Sequence, residues 1–190
     1  LDREKLLTGD PTPTPENLLL PQISRLDMAP FWGGHTAFPL IGVEIADYAG
    51  NRDNRIRDFV VLASESTANE CQETRHIVSF VDITDATKPY PVSNFQVPES
   101  MGNFCGRGGR FGPHATNWSF TPIYYKRIQF VSYFNAGVRA VDIRDPFRPR
   151  EVAFFIPATT ENTDPRAGKI AIQTNNVEVD ERGFIYTADR

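Results

Sequence analysis

The sequence predicts an all-β protein, part of a β-propeller built of four-stranded antiparallel blades. Three observations predict it. The first is a segment that occurs twice, HIVSFVDITDATKPYPV at 76–92 and AGVRAVDIRDPFRPREV at 136–152. Aligned without a gap, the two share Val78/Val138, Val81/Val141, Asp82/Asp142, Ile83/Ile143, Asp85/Asp145, Pro89/Pro149 and Val92/Val152, at an offset of 60 residues. The second is that two further strand signals precede each copy. The third is NNVEVDERGFIYTAD at 175–189, a strand, a turn and a strand that match the opening half of the same pattern. A unit of this kind cannot bury its own apolar face and must stack on neighbours. A four-stranded unit repeated along a chain is a propeller blade.

Taken in order, residues 1–32 form an N-terminal Pro-rich arm. Pro11, Pro13 and Pro15 prevent a helix over PTPTPENLLLPQ, because proline removes a donor and clashes with the preceding turn. The segment reads either as an extended arm packed on a neighbouring blade through Leu18, Leu19 and Leu20, or as a disordered leader. Blade one covers 33–98. GGHTAFPLIGVEI (33–45) opens it from small residues into a strand, and FVVLASE (59–65) is the second. The repeated segment supplies the third, rich in Ile, Val and Phe. An Asp-x-x-x-Pro turn, in which Asp85 bonds backbone amides and Pro89 restarts an extended chain, leads to PVSNFQV (91–97).

A Gly/Arg-rich connector, 99–113, leads to blade two at 114–156. Its strands are GPHATNWSF (112–120), IQFVSYF (128–134), the second copy of the repeated segment, and EVAFFI (151–156). A second connector occupies 157–174, and 175–190 is the first half of a further blade. Propellers close with roughly 4–8 blades. Two and a half blades imply a fragment, a cleaved chain, or a subunit whose remaining blades come from missing chain or a partner chain. The first residue is Leu1 and not Met, which points to an upstream segment removed.

Gly-Val-Arg-Ala-Val-Asp-Ile-Arg-Asp-Pro (137–146) resembles the LVIVD-repeat proteins, and the resemblance covers about residues 33–190. It implies a β-propeller. More distantly, the chain is similar to the propeller of selenium-binding proteins. In the LVIVD family the inner strand often opens with His-Asn-Val. This chain has His35-Thr36, His114-Ala115 and Asn175-Asn176-Val177 at those places.

The candidate site residues follow from this frame. His35 and His114 follow Gly-Gly and Gly-Pro at matching positions. The start of the innermost strand lines the mouth of the central channel, so two imidazoles converging there can hold a transition metal. The alternative is that each His bonds a backbone group and locks its strand. GNFCGRGGRFGPH (102–114) packs five glycines and two arginines before His114. Glycine lets backbone amides approach a ligand, and Arg107 and Arg110 can fork onto a carboxylate or phosphate. Together with Asn175 these residues form the predicted ligand-binding set, on one face with the connectors 98–113 and 157–174. The loop 46–58 falls on the other face. Asp82, Asp142, Asp85 and Asp145 read as turn acids, His76 as a surface residue, and Trp32 and Trp118 as core.

Cys71 and Cys105 are the only cysteines. Loops between second and third strands and loops between blades lie on one propeller face, so the two can form a disulfide. That favours a secreted or periplasmic protein. Net charge is −4, which argues against sequence-independent nucleic-acid binding. No apolar run approaches the ~20 residues of a membrane span. Two function classes remain. One is a binding or interaction module using the loop-rich face for a small-molecule or protein ligand. The other is a metal-dependent, oxidoreductase-like enzyme with its metal on His35 and His114.

Overall fold

The computed structural model describes residues 1–45, 56–165 and 168–190. Among them β1 (Gly34–Glu44), β2 (Ile56–Ser64), β3 (Val78–Asp82) and β4 (Tyr90–Phe95) form one four-stranded antiparallel sheet, each strand paired with the next. In β2 the residues Arg57, Phe59, Val61 and Ala63 are buried, the period-two pattern of a strand with one face on a core. β3 is buried at all five positions, which is why its sequence does not alternate.

A second sheet contains β5 (Ile128–Ser132), β6 (Val138–Asp142) and β7 (Arg150–Phe155), and a third contains β8 (Thr174–Val179) and β9 (Ile185–Asp189). The four strands expected at 112–156 are therefore three. The segment 112–120 joins β5 through a single bridge, Thr116 to Val131, flanked by Ser132 N–H to the Ala115 carbonyl (2.8 Å) and Asn117 N–H to the Phe130 carbonyl (3.1 Å). The physical reason is side-chain competition. Asn117 Oδ1 accepts the Phe130 N–H (2.8 Å) and the Gln129 side-chain amide (2.7 Å), and Ser132 Oγ accepts the Ala115 N–H (3.0 Å). Such bonds replace a regular ladder. The chain then turns outward, so Trp118 is 60% exposed and is not core.

The two larger sheets share a ladder. Phe59 to Ala63 pairs with Asp82 to Val78, and Ile128 to Ser132 pairs with Asp142 to Val138. The β3–β4 and β6–β7 ladders slip at the same place, after Phe80 and after Ala140. Ala63 thus matches Ser132, Ser64 matches Tyr133, and Glu65 matches Phe134. The aspartates behave as turn acids in both sheets. Asp85 Oδ1 accepts the Thr87 N–H (3.0 Å) and Asp145 Oδ1 the Phe147 N–H (3.0 Å).

One core spans the two sheets, with Phe59, Val61, Phe80 and Phe95 packed against Val131, Tyr133, Val141 and Ile143. A smaller one joins Phe130, Val138 and Ala140 to Val177 and Val179. The loop after β2 is long and carries Cys71, whose sulfur lies 1.98 Å from that of Cys105, with Cα atoms 5.3 Å apart. The pair stands at disulfide distance and ties this loop to the Gly/Arg-rich connector.

The arm begins with α1 (Arg3–Thr8), capped by Asp2. Leu18, Leu19 and Leu20 are exposed and do not pack on a sheet. Thr14 and Asn17 close this segment on itself, with the Thr14 N–H donating to Asn17 Oδ1 (2.8 Å). The arm is held further on, where the Ser24 hydroxyl donates to the Ala86 carbonyl (2.6 Å) and the Trp32 indole to the Arg75 carbonyl (2.9 Å). Most of the loop expected on the opposite face, at 46–55, lies outside the described residues. Among the described residues no helix is long and apolar enough to cross a membrane.

Candidate metal centre

β1 and β8 share a local irregularity that places the site. Gly34 faces Ser64 and Thr36 faces Ala63, so His35 is an extra residue in the ladder. Thr174 faces Asp189 and Asn176 faces Ala188, so Asn175 is the extra residue there. A β-bulge of this kind re-aims the side chain it carries. His114 holds the corresponding position beside Ala115, and its N–H donates to the Ser132 carbonyl (2.9 Å).

His35 and His114 lie against each other, ring centroids 4.0 Å apart. His114 is 5% exposed. Its Nδ1 sits 2.5 Å from the Asn175 carbonyl. A carbonyl only accepts, so Nδ1 carries the proton and the Nε2 lone pair is left for a ligand. Nε2 lies 3.6 Å from Glu65 Oε1. Ligand atoms of His35, Glu65 and His114 all fall within 4.8 Å of one another. Burial lowers the pKa of His114, with the neighbouring His35 acting the same way. The Asn175 bond and Glu65 oppose this without reversing it, so the ring is neutral near pH 7.

Arg110 Nη1 donates to Glu65 Oε1 (3.0 Å) and to the Ser66 carbonyl (3.4 Å), and its guanidinium lies over Phe134, 5.3 Å from the ring centroid. The structure therefore brings His35, His114, Arg110 and Asn175 together. Arg107 stands apart, donating to the Asn135 carbonyl (3.3 Å) and lying over Phe104. Glu65 was not singled out from the sequence. The available signal was a carboxylate directly after an apolar strand, on the side to which both histidines point, where the second sheet has Phe134.

Beside the cluster is a cavity of about 470 Å³ lined by Phe31, Gly34, His35, Glu65, Glu73 and His76, among others. Its far wall is set by Glu73. That carboxylate accepts the Ser66 hydroxyl (2.6 Å), the Thr67 N–H (2.7 Å) and the Thr67 hydroxyl (2.7 Å). Burial works against the charged form, and these bonds still hold the carboxyl below its ordinary range. His76, expected at the surface, is 4% exposed with Nε2 3.4 Å from Glu73 Oε2, because the long loop after β2 folds back over it. His76 Nδ1 and Asn175 Oδ1 are buried without a hydrogen-bond partner.

Comparison with protein-family models finds no match, and comparison with curated proteins finds none either.

Proposed function

We propose that this chain is part of an exported, LVIVD-type β-propeller whose loop-rich face holds a mononuclear transition metal on His35, Glu65 and His114, beside a cavity that takes a small-molecule substrate. The observation that carries the reading is the third donor. Two imidazoles alone are too few for a site, whereas two imidazoles and a carboxylate within 4.8 Å are a donor set known for Zn²⁺ and non-haem Fe²⁺. With metal–ligand distances near 2.1 Å, tetrahedral ligands stand about 3.4 Å apart, so a pair at the 4.8 Å limit has to close by about 1.4 Å. Asn175 and Arg110 serve as supports, the first fixing the His114 tautomer and the second the carboxylate. A metal with three protein ligands keeps a coordination position open, where it can polarise a bound substrate oxygen or take part in electron transfer. The propeller reading rests on the meander sheets with their common ladder, and export on the Cys71–Cys105 pair.

One observation favours the metal-free binding module. Arg110 already pairs with Glu65 at 3.0 Å, which satisfies the carboxylate without an ion. Metal content separates the two. The protein is stripped with chelator, reloaded separately with Zn²⁺ and Fe²⁺, and assayed for bound metal. About one ion per chain is expected, lost in His35→Ala/His114→Ala and no longer stoichiometric in Glu65→Gln, which leaves two imidazoles and a neutral amide. A folded protein that retains no stoichiometric metal overturns the metal centre and leaves the binding module.

A further inference from the structure

The smaller core ends in an open groove. Val177 and Val179 of β8 pack on Phe130, Val138 and Ala140. The same three residues run on, with Phe154, Phe155 and Ile185, into an apolar groove of about 260 Å³. Phe155 is 61% exposed and all five residues of β9 are exposed. Among the described residues β9 pairs only with β8, so its other edge is a row of unsatisfied backbone groups.

The preceding junction shows what covers such a face. By their ladder positions Phe130, Val138, Ala140 and Phe155 match Val61, Val78, Phe80 and Phe95. Those four are buried, Phe95 at 7%. They are covered by Val131 of β5 and Tyr133 just beyond its end, and by Val141 of β6 and Ile143 just beyond its end. β9 matches β5. No described segment stands where Val141 and Ile143 stand.

We propose that the groove and the β9 edge together form a docking site for one further β-strand. It pairs antiparallel to β9 and carries the Val-Asp-Ile pattern, with its two apolar side chains, at i and i+2, set into the groove. The groove is continuous with the interface that β8 already makes. The β9 edge supplies main-chain bonds and the groove supplies side-chain selectivity, the two components of strand addition. This inference is independent of the metal centre.

A chain in which residues 135–156 are copied directly after Arg190 tests it. Asp189 sits at the ladder position of Tyr133, so Arg190 stands where Phe134 stands and Asn135 is the residue due next. Amide exchange across β9 is expected to slow at least about tenfold. A second chain, with the copied Val141→Asp and Ile143→Asp, is expected to exchange at the rate of the original. Unchanged exchange in the first chain, or equal protection in the second, overturns the proposal. A dimeric original chain with β9 already protected also overturns it, in favour of a second copy as the occupant.

Discussion

Asp82 and Asp142 occupy one ladder position and differ in partner. Asp82 lies 2.5 Å from Arg57 Nε, with side chains 1% and 10% exposed, and the hydroxyl of the exposed Tyr90 accepts from Arg57 and donates to Asp82. Asp142 pairs with Arg144, whose side chain is 72% exposed. Removing one partner of a buried pair leaves a charge uncompensated, so Asp82→Asn is expected to cost about 3–5 kcal/mol. Asp142→Asn is expected to cost at most about 1 kcal/mol. Burial pushes the Asp82 carboxyl up, but bonds from Arg57 and Thr84 prevail and hold it below the ordinary range. A carboxyl depressed in the folded state contributes stability that is present above its unfolded value of about 3.9. That stability is lost as pH falls through the folded value. Melting temperatures between pH 6 and pH 2 should therefore fall more steeply for the original protein than for Asp82→Asn. Parallel profiles would refute the pairing. At this scale the sequence shows recurrence and not partners. His35 and His114 are visible because each follows a small residue at a matching place. Glu65 has no counterpart to flag it, and Arg57 is 25 residues from Asp82, a contact that only the pairing of β2 with β3 creates.

At the scale of elements, the strands were legible wherever backbone bonding decides. The first sheet matches its predicted segments, as do β5 to β9. The failure at 112–120 arises from Asn117 and Ser132, whose side chains take over ladder bonds that strand propensity assumes to be backbone bonds. Of the two readings of the arm, packing through Leu18, Leu19 and Leu20 is not met, for a related reason: Thr14 and Asn17 satisfy the segment locally, and the three leucines are left outside. The loop after β2 is the element on which the site most depends. It has no regular structure, yet it is tied by the Ser66 N–H to the Pro113 carbonyl (3.1 Å), by the Glu70 N–H to the Gly109 carbonyl (2.8 Å), and by the cysteine pair. A cross-link over 34 residues stabilises by about 3–4 kcal/mol on the chain-entropy model. Cys71→Ser/Cys105→Ser is expected to lower stability to denaturant by that amount. A loss below about 1 kcal/mol would mean that the backbone ties alone hold the loop.

The molecule as a whole is organised by unequal cores. The larger joins the first two sheets across β2, β3, β5 and β6, and the smaller holds β8 to the second sheet. Regions with few buried apolar contacts open first. Hydrogen exchange is expected to be slowest in β2 and β3 and fastest among strands in β9, by at least about a hundredfold. A uniform rate across all strands would show one cooperative unit instead. The site draws on both levels. His35 belongs to the first sheet and Glu65 directly follows its second strand, and the carbonyl that orients His114 comes from β8, so loosening of β8 reaches the imidazole.

The bulged positions are constrained differently from their neighbours. A residue inserted between two paired neighbours is released from the in-and-out alternation that constrains the rest of the strand. Its identity can change while the ladder on either side keeps its register. The chain has His at 35 and Asn at 175, one nucleotide substitution apart in the genetic code. A strand bulged in this way can exchange an asparagine for an imidazole, the donor the proposed metal centre needs, in a single mutational step, and the ladder beside it is not exposed to the risk that such a change carries at a core position.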